Sequence, residues 1–167
     1  MKKKHVHLAL TLLFIFVFVS SIAQNNTIYE RLKTIPEIKS ITKLTTDTLF
    51  EAKYMMMVEQ PLDHENPEGQ TFTQRVFLSH LGIERPVVFV TEGYSAYYAI
   101  SSEYVNELSW MLRANQVTVE HRYFGKSKPE NAPWKFLTTA QAAADHHKIV
   151  ELLKAVYDNS KWINTGI

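Results

Sequence analysis

The segment that most constrains this chain is Pro86-Val87-Val88-Phe89-Val90-Thr91, a continuous apolar run closed by Glu92-Gly93-Tyr94. It is too short for a helix and rich in β-branched residues, so it reads as a strand. Its apolar side chains point both ways, so both faces of the strand must be covered, which calls for a layered α/β architecture. The chain has material for that cover: 46% of its 167 residues are hydrophobic and 21% are charged, which excludes intrinsic disorder.

On either side of the run, strand and helix signals alternate. Leu49 to Glu59 reads as a strand, and Pro61 with Asp63-His64-Glu65-Asn66-Pro67-Glu68-Gly69 forms a dense turn cluster, expected to be solvated. Gln70 to His80 alternates, with Phe72, Gln74, Val76 and Leu78 on one face and Thr71, Thr73, Arg75 and Phe77 on the other. It is expected to pair antiparallel with the first strand. From Ser95 to Arg113 the residues Ile100, Tyr104, Leu108 and Met111 recur at helical spacing. Gln116 to Glu120 gives another short strand. Thr138 with Gln141 is a capping-box pattern opening a helix to about Tyr157, with Ile149, Leu152, Leu153 and Val156 inward, and Lys161 to Ile167 begins one more strand. The order predicts a mostly parallel sheet led by an antiparallel β-hairpin, with helices on both faces. No repeat period is visible, which excludes solenoids and propellers.

The first residues have a different logic. Lys2, Lys3 and Lys4 precede an uncharged stretch from Leu8 to Val19, and Ser21-Ile22-Ala23 has the small-x-small form of a cleavage site. This is the three-part order of a secretory signal peptide. The competing reading, a membrane anchor, needs roughly 20 apolar residues, and this run is shorter. The expected organisation is a signal over 1–23, a polar, Thr-rich lead-in over 24–48 and the main domain over 49–167. Cleavage after Ala23 leaves 144 residues, with 15 basic against 17 acidic, so the mature chain is net −2. That balance offers no electrostatic footprint for nucleic acid, and no membrane contact is expected after cleavage. The absence of cysteine removes disulfides, thiolate metal sites and a cysteine nucleophile. Export without cysteine points to a bacterial protein of the periplasm or the extracellular space.

Gln60-Pro61-Leu62-Asp63-His64, Thr71-Phe72-Thr73-Gln74-Arg75, Thr91-Glu92-Gly93, the run Val119-Glu120-His121-Arg122-Tyr123-Phe124-Gly125-Lys126-Ser127 and the final Thr165-Gly166-Ile167 stand in a recognisable order. Together they resemble the opening half of secreted serine peptidases, a group that includes lysosomal Pro-X carboxypeptidase and the bacterial tripeptidyl aminopeptidases, the latter branch most of all. The resemblance covers Leu49 to the last residue. It implies the N-terminal half of an α/β-hydrolase and a Ser-Asp-His triad that cleaves peptides near a free N-terminus, with no cofactor. Gly166 and Ile167 are similar to the first two positions of the nucleophile elbow, so the serine is expected just after Ile167, and the triad Asp and His later still. These 167 residues are accordingly expected to be an inactive N-terminal part. An esterase or lipase on the same fold and a non-catalytic secreted binding module are the alternatives.

The resemblance also suggests roles for particular residues. Gly93 and Tyr94 stand where the fold supplies one oxyanion-hole amide; the alternative is an ordinary strand-end turn in which Gly93 accommodates an unusual backbone angle. Glu92 is a candidate partner for a substrate ammonium, against a purely structural carboxylate. Glu120, His121 and Arg122 are expected to form one polar cluster that positions the following loop, with Tyr123 and Phe124 packing beneath. His146 and His147 point about 100° apart on a helix and cannot share a metal as i, i+4 ligands would. Met55-Met56-Met57 alternates across a strand as core filler, and no metal site is expected. Gly125-Lys126-Ser127 lacks the upstream glycine of a phosphate-binding loop.

Overall fold

The computed structural model describes residues 27–131 and 133–166. The expected signal peptide and Ile167 therefore lie outside the described residues. The chain divides into two compact units, one ending at Thr34 and one starting at Ile35. In the first, a short helix α1 (Ile28–Lys33) is capped by Thr27, whose hydroxyl accepts from the Glu30 amide.

The second unit is a six-stranded sheet. Its strands are β1 (Ile38–Leu44), β2 (Ala52–Pro61), β3 (Thr71–His80), β4 (Val87–Thr91), β5 (Asn115–Val119) and β6 (Trp162–Gly166). They lie in the order β1-β2-β3-β5-β4-β6. The β2–β3 hairpin is antiparallel, as its turn cluster predicted. The sheet as a whole is mixed rather than mostly parallel, because β1–β2, β2–β3 and β3–β5 are antiparallel and only β5–β4 and β4–β6 are parallel. The hairpin stays attached to the parallel strands by its own edge, so antiparallel pairs outnumber parallel ones.

Two expectations are corrected. The lead-in 24–48 contributes a strand, β1, that pairs with β2. Its apolar residues Ile38, Ile41 and Leu44 recur every third position, and a register shift between Ile38 and Ser40 breaks the alternation that normally reveals a strand. It lies at the sheet edge with Lys39 and Lys43 along it, a charged edge that discourages further pairing. The single helix expected over 95–113 is instead a short 3-10 turn, Tyr97–Ile100, followed by α2 (Glu107–Leu112). The break has an identifiable cause. The Ser101 carbonyl is taken by the buried Lys53 ammonium, and Asn106 starts a fresh helix by accepting from the Leu108 amide at 3.0 Å.

The long helix α3 (Thr139–Lys154) forms as expected, and Thr138 caps it by accepting from the Gln141 amide. The reciprocal half of the capping box is absent. Gln141 instead turns its side chain to the hairpin turn, donating to Asp63 at 2.8 Å and accepting from the His64 amide at 2.9 Å. Ile149 and Leu153 of α3 pack against Met56, Val58 and Val76 on one face of the sheet. On the other face Phe77 meets Ala96, Ala99, Met55 and Tyr104, while Val88 and Val90 meet Ala114 and Leu108. Helical segments thus cover both faces, and β4 sends alternate side chains into each layer, as its unbroken apolar run requires. Both layers are dense: Val76, Leu78, Val117 and Val119 on the α3 side, and Val88, Val90, Ala96 and Ala99 on the other, have no solvent exposure. No helix among the described residues is long and apolar enough to cross a membrane.

Candidate active site

The parallel register pairs Thr91 with Gly166, so the segment after β4 and the end of β6 emerge side by side at one edge of the sheet. The Thr91 hydroxyl donates to the Thr165 carbonyl at 3.2 Å and ties the two strand ends. A shallow cleft of about 340 Å³ opens there, lined by Glu92, Gly93, His121, His146 and Gly166 among others. The loop after β5 and the N-terminal half of α3 complete its walls, so each wall comes from the end of a regular element.

Gly93 does not have a positive φ, and a Cβ at this position would meet nothing within 4 Å. Neither backbone angle nor local crowding demands a glycine, so what the missing side chain leaves is open space in front of the main chain. Tyr94 is largely exposed; its ring meets the edge of Phe124, and its carbonyl accepts from the His121 amide. Glu92 is buried, and one of its carboxylate oxygens accepts from the Tyr98 hydroxyl. Burial, then the Glu92 hydrogen bond, pushes the Tyr98 phenol far above its ordinary range, so it remains a donor.

Glu120 and Arg122 belong to separate networks. The Glu120 carboxylate is fully buried and collects donors from three places: the Arg75 guanidinium, the loop after β4 through Ser95 Oγ and the Ala96 amide, and the loop after β5 through the Lys126 and Ser127 amides and Ser127 Oγ. Burial raises its carboxyl pKa, but the Arg75 and Ser95 hydrogen bonds, the Arg75 charge and the Lys126 amide outweigh that and leave it below the usual carboxylate range. The Gly125-Lys126-Ser127 stretch thus wraps an anion, and that anion is the chain's own carboxylate.

Arg122 points to the opposite face of the sheet. Nε and Nη2 grip both oxygens of Asp145 on α3, at 2.7 and 2.8 Å. The remaining donors go to the carbonyls of Pro61, Leu62 and Phe136. His64 adds a bond to Asp145 at 2.7 Å, and because the carboxylate can only accept, Nε2 carries the proton. The Asp63-His64 turn is therefore docked on α3 rather than merely solvated. His121 stands between the two networks. Its Nδ1 bonds the Arg122 carbonyl, and its ring meets the edge of Phe124. Tyr123 holds φ at +72° and stacks on Trp134, with its hydroxyl donating to the Pro133 carbonyl at 2.6 Å. A non-glycine in that region is strained, and the surrounding bonds hold it there.

His146 lines the cleft, and its Nε2 is buried with no partner among the described residues. Burial lowers its pKa; the Asp145 charge opposes this and His121 adds to it, so the ring is neutral at neutral pH. His147 is exposed on the next position of the helix. Arg75, Ser95, Ser127 and Asp145 escaped the sequence reading. The signal was present for two of them: Arg75 sits mid-strand in a buried hairpin, and Asp145 falls on the same helical stripe as Ala142 and Ile149.

The chain is 36% identical over 148 residues to the prolyl tri/tetrapeptidyl aminopeptidase of Streptomyces mobaraensis, covering 88% of this chain and 30% of that protein. It is 29% identical over 142 residues to the lysosomal Pro-X carboxypeptidase of Mus musculus, covering 77% of this chain and 29% of that protein. The chain therefore spans less than a third of the length of these relatives. The sequence profile of the PS-10 peptidase S37 family matches residues 22–167, and the chain belongs to that family.

Proposed function

We propose that these residues form the N-terminal half of an α/β-hydrolase and are part of an exported serine peptidase that releases short peptides from free N-termini. The observation that carries this reading is the Thr91–Gly166 pairing. A nucleophile elbow that follows β6 emerges next to the loop after β4, which is where an oxyanion-hole amide must stand to meet the tetrahedral intermediate. Gly93 and Tyr94 occupy that loop, and the open space in front of Gly93 admits a substrate carbonyl. The aminopeptidase relative supports the substrate class, and the start of the family match at residue 22 leaves the Lys-rich apolar leader outside it, which supports export.

In this reading Gly93 and Tyr94 supply main-chain donors, and the nucleophile and its base come from residues beyond this sequence. Glu92 serves the loop, because its carboxylate is nearly out of solvent and already holds Tyr98. On this proposal these residues hydrolyse nothing by themselves. The test has two parts. The codons that follow residue 167 are read, with an in-frame Ser-Lys-Gly-Gly expected, and an unrelated sequence refutes the elbow. Residues 24–167 and the longer chain are then exposed to a serine-reactive phosphonate. Labelling of the longer chain alone is expected, and specific labelling of residues 24–167 sinks the proposal.

A further inference from the structure

Glu120 divides its two oxygens between two loops. Oε2 takes Ser95 Oγ at 2.9 Å and the Ala96 amide at 3.1 Å, both from the loop after β4. Oε1 takes the Lys126 amide at 2.8 Å, the Ser127 amide at 3.1 Å and Ser127 Oγ at 3.0 Å, all from the loop after β5. The acid itself cannot drift. Its main-chain N–H donates to the Arg75 carbonyl, its carbonyl accepts from Gln74 Nε2, and its side chain is paired with the Arg75 guanidinium. Ser127 Oγ also accepts from the Arg75 amide, so the far loop is pinned to β3 as well. Gly125 makes room for this arrangement, since at φ +51° a Cβ there would lie 2.6 Å from the Glu120 Cδ. A carboxylate accepting several N–H and O–H donors in a buried site is held rigidly, because each lost bond leaves a buried donor unpaired.

We infer that Glu120 is a positioning residue for the peptidase reaction: through Ser95 and Ala96 it fixes, from behind, the loop whose Gly93 and Tyr94 amides face the reacting carbonyl. The inference rests on the oxyanion reading of that loop. Oxyanion donors act only if they are already aimed when charge develops, so a loop anchored one residue away from Tyr94 governs the chemical step more than substrate binding. Ser95 is the bond to cut, because removing Glu120 itself strands Arg75 and endangers the fold.

The experiment uses the complete reading frame that contains these residues, with active enzyme counted by phosphonate titration. Ser95→Ala is expected to lower kcat about tenfold with KM within about twofold, a part of the ~10²–10³ lost when an oxyanion donor is removed outright. Ser95→Thr, which keeps the hydroxyl, is expected to restore kcat. Gly93→Pro and Tyr94→Pro, which delete the two candidate amides, report on the underlying reading. If either proline variant abolishes turnover while Ser95→Ala keeps wild-type kcat, the positioning role of Glu120 is overturned and the oxyanion reading stands. If both proline variants keep wild-type kcat, the oxyanion reading falls and the inference falls with it. A Ser95→Ala variant whose KM rises while kcat holds also overturns the inference.

Discussion

Glu120 and Asp145 are both buried carboxylates without solvent exposure, each faces an arginine, and they lie on opposite faces of the same sheet. Their partners differ in kind. Glu120 gathers main-chain amides and serine hydroxyls from two loops at the cleft. Asp145 holds side chains, Arg122 and His64, and Arg122 in turn gathers carbonyls where β2 ends and where the chain approaches α3. An acid can organise only donors and a guanidinium only acceptors, so the choice of hub decides which backbone groups are neutralised. The acid-centred network shapes loops beside the proposed chemistry. The arginine-centred one welds the hairpin to the helix. They also differ in completeness: every N–H of Arg122 is engaged, whereas the Nε of Arg75 is buried without a partner among the described residues.

Substitutions can break or sharpen this contrast. The largest loss is expected from Asp145→Ala, which leaves the Arg122 charge buried without its carboxylate and costs about 3–5 kcal/mol in urea denaturation. Glu120→Gln keeps the shape but turns an amide nitrogen toward one set of donors, for about 2–4 kcal/mol. Should Glu120→Gln prove the more damaging of the two, the division into scaffold and loop networks fails. Gly125→Ala, at φ +51° and pressed on the Glu120 carboxyl, is expected to cost about 2 kcal/mol, measurable as a lowered Tm. Ser127→Ala removes a hydroxyl that accepts from the Arg75 amide and donates to Glu120, for about 1–2 kcal/mol.

The smallest effects are those of pH. Glu120 has its folded pKa below the ordinary 4.5, so its contribution is complete above that value and is lost as pH falls further, through the folded value. His146 acts earlier. Its folded pKa lies below the ordinary 6.5, so below 6.5 the unfolded chain binds a proton that the folded chain refuses, and stability starts to decline. A two-stage acid profile in denaturation is expected. His146→Phe should remove the upper stage and Glu120→Gln the lower, and a single stage untouched by either substitution would contradict both assignments.

Much of the frame was legible in the residues. The β2–β3 hairpin, β4, β5, α3 and β6 were announced by period, turn chemistry and capping, all of which act within a few residues. β1 was hidden because a bulge spoils its alternation, and the helix expected over 95–113 was split because Lys53, far away in sequence, claims a carbonyl inside it. The same limit held at the site. Glu120, His121 and Arg122 are neighbours in the chain and suggested one cluster, but extended geometry ends at Val119, and the turn beyond it sends Arg122 to the other face. Asp145, set on an apolar helical stripe, was a visible anomaly whose partner could not be named from spacing alone.

What the sequence by itself determined is the layered α/β architecture: an apolar strand that must be buried on both faces, ending in Glu92-Gly93-Tyr94, and a final strand ending in Thr165-Gly166. Those follow from side-chain period and local turn preference. Only the tertiary structure decided that Thr91 lies beside Gly166, that Glu120 holds two loops while Arg122 holds a hairpin and a helix, and that Gln141 leaves its cap to bind the Asp63-His64 turn. The physical reason is that a buried polar group takes whichever partner satisfies it in three dimensions, and such a partner can be remote in the chain: Arg75 lies 45 residues from Glu120 and Asp63 lies 78 residues from Gln141.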